Sequence, residues 1–77
     1  MNANYQGQRN EQAAIWINFS EKEAIKAEKV ADKMMEYGYG FAHSEEDDYF
    51  MLVASDVNTT ISQMKEDYKI AKKEALN

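Results

Sequence analysis

The sequence predicts a single small α+β domain in which strands and helices follow the order β-α-β-β-α. Three observations lead to this class: a stretch whose apolar residues alternate, two stretches whose apolar residues recur at the helical period, and a polar segment between two short apolar stretches. The chain has 77 residues with no proline and no cysteine. This length fits one domain, which we place at residues 13–77, and the composition excludes a disulfide framework.

The beginning of the chain and the first strand differ in pattern. Residues 1–12 are polar, are rich in Asn and Gln and have no periodicity, so we expect a flexible N-terminal arm. The stretch AAIWINFS that follows alternates. Ile15, Ile17 and Phe19 share one side of it. Trp16 lies on the other side, which predicts a half-buried strand.

The first helix is delimited by a capping pattern and a glycine. Ser20 is a suitable N-cap, and Glu23 lies three residues later as its capping-box partner. Gly38 tolerates the left-handed conformation in which many helices end. Between these positions, the apolar residues that fall on one arc of a 3.6-residue helix are Ala24, Ala27, Val30, Ala31, Met34 and Tyr37.

A hairpin and a second helix complete the chain. The stretches YGFAH and YFMLVAS flank the polar segment SEEDD, whose Ser and Asp residues favour turns. The second helix is expected after Ser55 and Asp56, either of which could cap it. Its apolar seam steps by three or four residues and consists of Val57, Ile61, Met64, Tyr68, Ala71 and Ala75.

The order of these elements determines the predicted topology. A right-handed crossover through the first helix leaves the second strand parallel to the first, so the third strand fits antiparallel between them. We therefore predict a three-stranded antiparallel sheet of order 1-3-2 with both helices on one face. This arrangement corresponds to a truncated ferredoxin-like unit without its last strand, and it leaves one sheet face uncovered.

Charge and composition exclude several classes of function. The net charge is −5, and all lysines lie in residues 22–33 and 65–73, so the middle of the chain is acidic. No apolar run could span a membrane, no signal peptide is evident, and the lack of cysteine suits a reducing compartment, so we expect a cytoplasmic protein. His43 is the only histidine, and no phosphate-binding glycine loop or metal-ligand spacing is present. We expect no enzyme activity, no cofactor and no metal site.

One short motif resembles the aromatic strand of RNA-recognition modules. Residues 38–41 (GYGF) match four central positions of that strand, and residues 15–17 (IWI) loosely resemble its neighbour. The resemblance implies a sheet that stacks single-stranded nucleic acid on Trp16, Tyr39 and Phe41. However, the basic position of the motif is not basic here, and an acidic run follows it, whereas nucleic-acid affinity rests largely on cations. We favour the interpretation that these aromatics fill or flank a small core.

The uncovered sheet face is the most informative surface. If Ile15 and Ile17 face the helices, Trp16 points away from them. The large side chains that accompany it are either Tyr39 and Phe41 or Met51 and Val53. A contiguous apolar patch of this kind marks an interface.

We therefore expect a small acidic, non-catalytic protein-interaction module. It is similar in size and charge to phage-encoded inhibitors of host enzymes, including DNA-mimicking anti-defence proteins, whose carboxylates would stand in for phosphates against a basic partner. The alternatives are a single-stranded nucleic-acid binder and a plain homodimer through the uncovered face. The candidate partner-binding residues are Trp16, Tyr39, Phe41, Glu45, Glu46, Asp47, Asp48 and Met51.

Overall fold

The computed structural model describes residues 1–8, 11–43 and 48–76. Its elements are β1 (Asn2–Gln8), β2 (Glu11–Asn18), α1 (Ala24–Glu36), β3 (Tyr39–His43), β4 (Tyr49–Ala54) and α2 (Ile61–Leu76), with a 3₁₀ turn at Glu21–Glu23 before α1. Within the described residues the strands form one antiparallel sheet in the order β1-β2-β4-β3. The predicted α+β class is confirmed.

The number of strands differs from the prediction. The three expected strands are β2, β3 and β4, in the expected spatial order, but β1 adds a fourth strand beside β2. The predicted three-stranded, truncated ferredoxin-like sheet is therefore wrong in strand number. The additional strand lies within residues 1–12, where we expected a flexible arm. Its pattern was hidden because only Ala3 and Tyr5 are apolar on the face that packs against the core.

The buried apolar residues that the structure describes form one hydrophobic cluster between the sheet and the two helices. Ile15, Ile17 and Leu52 are fully buried on one face of the sheet. They pack with Met34 of α1 and Met64 of α2, which are also fully buried. Helix α1 contacts β3 and β4, whereas α2 contacts β1 and β2. Both helices therefore cover the same face, as predicted.

The capping box and the glycine stop predicted for the first helix both form, but Ser20 caps the 3₁₀ turn, and α1 itself begins at Ala24. The capping box forms: the Glu23 carboxylate accepts hydrogen bonds from the Ser20 backbone N–H and hydroxyl, both at 3.1 Å. At the other end Gly38 has a φ of +98°, the left-handed conformation that glycine adopts without a steric penalty. Ala27, Val30 and the other buried residues of α1 lie on the predicted arc.

The second helix begins later than predicted. Val57, expected as the first residue of its seam, lies before the helix and is 65% exposed. The reason is local: the Asp56 carboxylate accepts a hydrogen bond from the Asn58 N–H, which forms a turn. Thr60 then caps the helix, because its hydroxyl accepts from the Gln63 N–H at 3.1 Å. The rest of the seam is confirmed, with Met64, Tyr68 and Ala71 buried.

Two long-range contacts hold β1 in place. The Met1 ammonium donates to the Glu23 carboxylate at 2.6 Å. This bond, followed by those from Ser20, lowers the pKa of the Glu23 carboxyl to about 2. The stability from this contact is present above the ordinary carboxyl pKa and is lost as the pH falls toward 2. At the other end of β1, Gly7 packs against Ile61 of α2.

We predict that Gly7→Ala destabilises the protein through Ile61. An alanine Cβ at residue 7 would lie 2.5 Å from Ile61 Cγ1, so the free energy of unfolding should fall by ~1–3 kcal/mol. Urea unfolding of a double-mutant cycle measures the effect. In the Ile61→Ala background the change should cost little, because the crowding atoms are gone and alanine is otherwise preferred to glycine in a strand.

Gly40→Ala is the matched control, because its Cβ would meet nothing closer than 3.7 Å. It should not destabilise the chain. Strictly additive effects of Gly7→Ala and Ile61→Ala would show that β1 does not dock on α2.

Candidate functional site

The side of the sheet that faces away from the helices is the candidate site, and we call it the open face. Its residues alternate along each strand with those that face the core. They are Asn2, Asn4 and Gln6 on β1, Ala14, Trp16 and Asn18 on β2, Tyr49, Met51 and Val53 on β4, and Gly40 and Ala42 on β3.

The open face is ordered by side-chain size and polarity across the strands. One row, read from β1 to β3, is Asn4, Trp16, Met51 and Ala42, and the next row is Gln6, Ala14, Val53 and Gly40. Amide side chains therefore lie along β1 and small residues lie along β3, whereas the large side chains are Trp16 on β2 and all three open-face residues of β4.

Two aromatic rings form the largest feature of this face. The rings of Trp16 and Tyr49 have centroids 5.2 Å apart and planes inclined by 44°. Trp16 Nε1 is buried and has no hydrogen-bond acceptor among the described residues. The half-buried indole therefore turns its N–H edge toward the protein, and what it offers to a binding molecule is carbon surface.

The open face carries no charged side chain among its described residues. This is notable because charged residues make up 30% of the sequence. The centres of protein interfaces are depleted of charged residues and enriched in aromatic residues and methionine. The chemistry of the open face matches that composition.

Of the predicted partner-binding residues that the structure describes, Trp16 and Met51 lie together on this face. Tyr39 lies on the opposite face, is 5% exposed, and donates its hydroxyl to Asp67 at 2.6 Å. Its burial, and then this hydrogen bond, raise the pKa of the Tyr39 phenol well above its ordinary value. Tyr39 is therefore a residue of the core.

Phe41 also lies on the helix side of the sheet. Its side chain is 42% exposed, and its ring centroid lies 5.4 Å from that of Phe50. Together with Met35 of α1, these rings line an apolar groove of about 410 Å³ whose rim includes Glu28 and Asp32. Phe41 thus belongs to a surface separate from that of Trp16.

The predicted acidic segment is described only at its end. Glu45, Glu46 and Asp47 lie outside the described residues. Asp48 is exposed, and its backbone carbonyl accepts a hydrogen bond from the Phe19 N–H at 3.0 Å. Asp48 therefore stands at the end of the sheet, next in sequence to Tyr49 of the open face.

The sequence analysis did not identify Tyr49 as a residue of the open face, nor the small residues Gly40 and Ala42 on β3. The stretch YFMLVA is apolar at both alternating sets of positions, so its periodicity could not show which set is buried. The register resolves this, because Leu52 lies opposite Ile15 of the core and Met51 opposite Trp16. Gly40 and Ala42 then fall beside Val53 and Met51 on the open face.

Two other kinds of site are absent from the described part of the chain. No group of three or more His, Cys, Asp or Glu side chains there is placed to hold a metal ion. Neither described helix combines the length and the apolar character needed to cross a bilayer.

We predict that Tyr39→Phe destabilises the fold by about 1–2 kcal/mol, because it removes a partly buried hydrogen bond to a carboxylate. Tyr37→Phe is the matched control: its hydroxyl also donates to a carboxylate, that of Glu74 at 2.8 Å, but at an exposed site. Its effect should be clearly smaller than that of Tyr39→Phe, because water can replace the lost hydrogen bond at an exposed site. Urea unfolding measures both, and equal effects would place Tyr39 outside the core.

Comparison with protein-family models, with curated proteins and with solved structures gives no match for this chain.

Proposed function

We propose that this chain is a small acidic, non-catalytic protein-interaction module that binds through its open face. The observation that supports this most directly is the centre of that face, where Trp16, Tyr49, Met51 and Val53 stand together without a charged neighbour among the described residues of the face. Each of these four side chains is partly exposed, and a contiguous apolar patch on the surface of a soluble protein often marks a binding site.

The energetics of such a surface favour a protein partner. Each Å² of apolar area removed from water contributes ~25 cal/mol, and the open face can bury its centre without desolvating an ion. Trp16 and Tyr49 supply rigid aromatic area, which is typical of interface hot spots. A partner for this surface would offer an apolar patch of its own.

The acidic segment suggests what borders that patch. Asp48 lies at the end of β4 beside Tyr49, and residues 45–47 precede it in sequence. The chain carries a net charge of −5 and has no lysine in residues 34–64. A partner with basic residues next to its apolar patch would match both features. An inhibitor of a host enzyme or of a nucleic-acid-binding protein, of the phage anti-defence type, is the function that fits this combination.

A nucleic-acid binder that stacks bases on Trp16, Tyr39 and Phe41 receives less support. Tyr39 and Phe41 lie on the other side of the sheet from Trp16. The open face itself offers no lysine or arginine among its described residues, whereas cation–phosphate contacts supply most nucleic-acid affinity. We therefore do not propose this alternative.

We predict that Met51→Glu abolishes partner capture. A carboxylate at the centre of an apolar interface must be desolvated without a counter-ion, so binding should weaken by at least about tenfold. The test compares the proteins retained from host lysate by the wild-type chain and by the variant.

Ser62→Glu, which adds the same charge at an exposed position of α2, is the control and should behave like the wild type. Thermal unfolding verifies that both variants fold. Retention of the same proteins in equal yield by Met51→Glu would refute the open face as the binding surface.

We also predict that the acidic segment accelerates binding to a basic partner. Replacement of Glu45, Glu46, Asp47 and Asp48 by Gln and Asn should slow association by ~10-fold or more at low salt and flatten its salt dependence. Stopped-flow kinetics with the captured partner measure this rate. An unchanged rate at low salt would leave the open face as the binding surface but remove the support for a phosphate mimic.

A further inference from the structure

The open face combines a large side chain with two small ones on the far side of β4, which form a shallow step. Trp16 on β2 and Ala42 on β3 both lie opposite Met51 of β4, one on each side of it. Neighbouring strands are ~4.8 Å apart, so the large and the small residue stand at about equal distances from β4. Gly40 continues the step in the next row beside Val53.

Gly40 is not required by the single chain. Among the described residues only Gly38 has a positive φ, so the backbone at Gly40 is one that other residues adopt. A Cβ there would meet nothing closer than the Val53 carbonyl oxygen at 3.7 Å, which is ordinary contact. Glycine weakens a strand interior, and where it persists it often marks the close approach of another chain.

We propose that a second copy of this chain covers the open face, with a two-fold axis that runs along β4. Such an axis exchanges the positions of β2 and β3 between the copies. Trp16 of each copy then lies over the step formed by Gly40 and Ala42 of the other. Tyr49, Met51 and Val53 lie near the axis, each close to its own counterpart. This inference rests on the proposed use of the open face as a binding surface.

The polar chemistry of the face suits its own copy. A two-fold interface places one surface against itself, so a rim of one charge would repel its counterpart. Here the overlapping strands β2, β4 and β3 carry no charged side chain among the described residues of the face, and the amides of β1 lie outside the overlap and add no charge beside it. The net charge of −5 on each chain lies elsewhere.

The area of contact predicts a weak and reversible dimer. The strands β2, β4 and β3 overlap in this arrangement, and three strands of about six residues cover about 300 Å² in projection on each copy. A standard interface buries ~800 Å² on each partner, so we expect a dissociation constant in the micromolar range or higher.

The axis also places the two Asp48 residues at the same end of the dimer, because it preserves the direction of β4. Their mutual repulsion is screened by salt. Dimerisation should therefore tighten as the salt concentration rises, which is the opposite of the salt dependence expected for a basic partner.

Two single variants test this arrangement: one removes the large residue, and the other enlarges the small residue that faces it. Trp16→Ala leaves the step of the second copy unfilled, and Ala42→Trp fills the step so that it clashes with the incoming Trp16. Each variant alone should dimerise at least about tenfold more weakly than the wild type. A mixture of the two restores both contacts in the heterodimer, since each large residue then faces a small one, and association should recover to near the wild-type level.

Sedimentation equilibrium over a range from about 10 μM to about 1 mM, at low and at high salt, provides the measurement. Circular dichroism and thermal unfolding verify that the variants fold, and Ala42→Leu replaces Ala42→Trp if the latter does not. A wild-type chain that remains monomeric over this range, or a mixture that does not recover association, overturns the proposal. If the chain is monomeric but Met51→Glu still abolishes capture from lysate, the second copy is excluded and the open face remains the binding surface for another protein.

Discussion

The placement of both helices on one face of the sheet is the constraint on which the rest of this structure depends. Helix α1 covers β3 and β4, and α2 covers β1 and β2, so together they bury Ile15, Ile17 and Leu52 completely. Without α2 the core would lose Met64, which is also fully buried. The described residues supply no third layer to cover the other face. The chemistry of that face therefore decides what the molecule can bind.

The helices and the strand order were predictable because their signals are local. The capping pair at Ser20 and Glu23 and the left-handed Gly38 act within a few residues of the chain, and the handedness of the crossover then fixes the order of three strands. Strand β1 was not predictable in this way. It pairs with β2, the next strand along the chain, but its own residues are mostly polar. The contacts that fix it against the rest of the protein, between Met1 and Glu23 and between residue 7 and Ile61, are distant in sequence and leave no local pattern.

The candidate site was predictable only in part. Trp16 follows from alternation in β2, but β3 and β4 are apolar on both sides, so sequence left open which aromatics accompany it. Pairing of Leu52 with Ile15 and with Phe41 turns Tyr39 and Phe41 toward the helices. In the GYGF motif, Gly38 ends the helix, Tyr39 lies in the core and Gly40 lies in a strand. A match to the motif alone cannot distinguish these structural roles from a role in base stacking.

The irregular pairing of β1 affects whether further chains can add strands to this edge of the sheet. The register of β1 and β2 shifts between Gln6 and Gln8, and Gly7 at this point lies against the first residue of α2. A flat, continuous edge strand invites further chains to add to the sheet, whereas a bulge interrupts its ladder of hydrogen bonds. Edge-to-edge addition has no natural end and leads to fibrils. The irregularity of β1 therefore disfavours addition of further strands at its side of the sheet, and the face-to-face dimer proposed above would be a finite form of assembly.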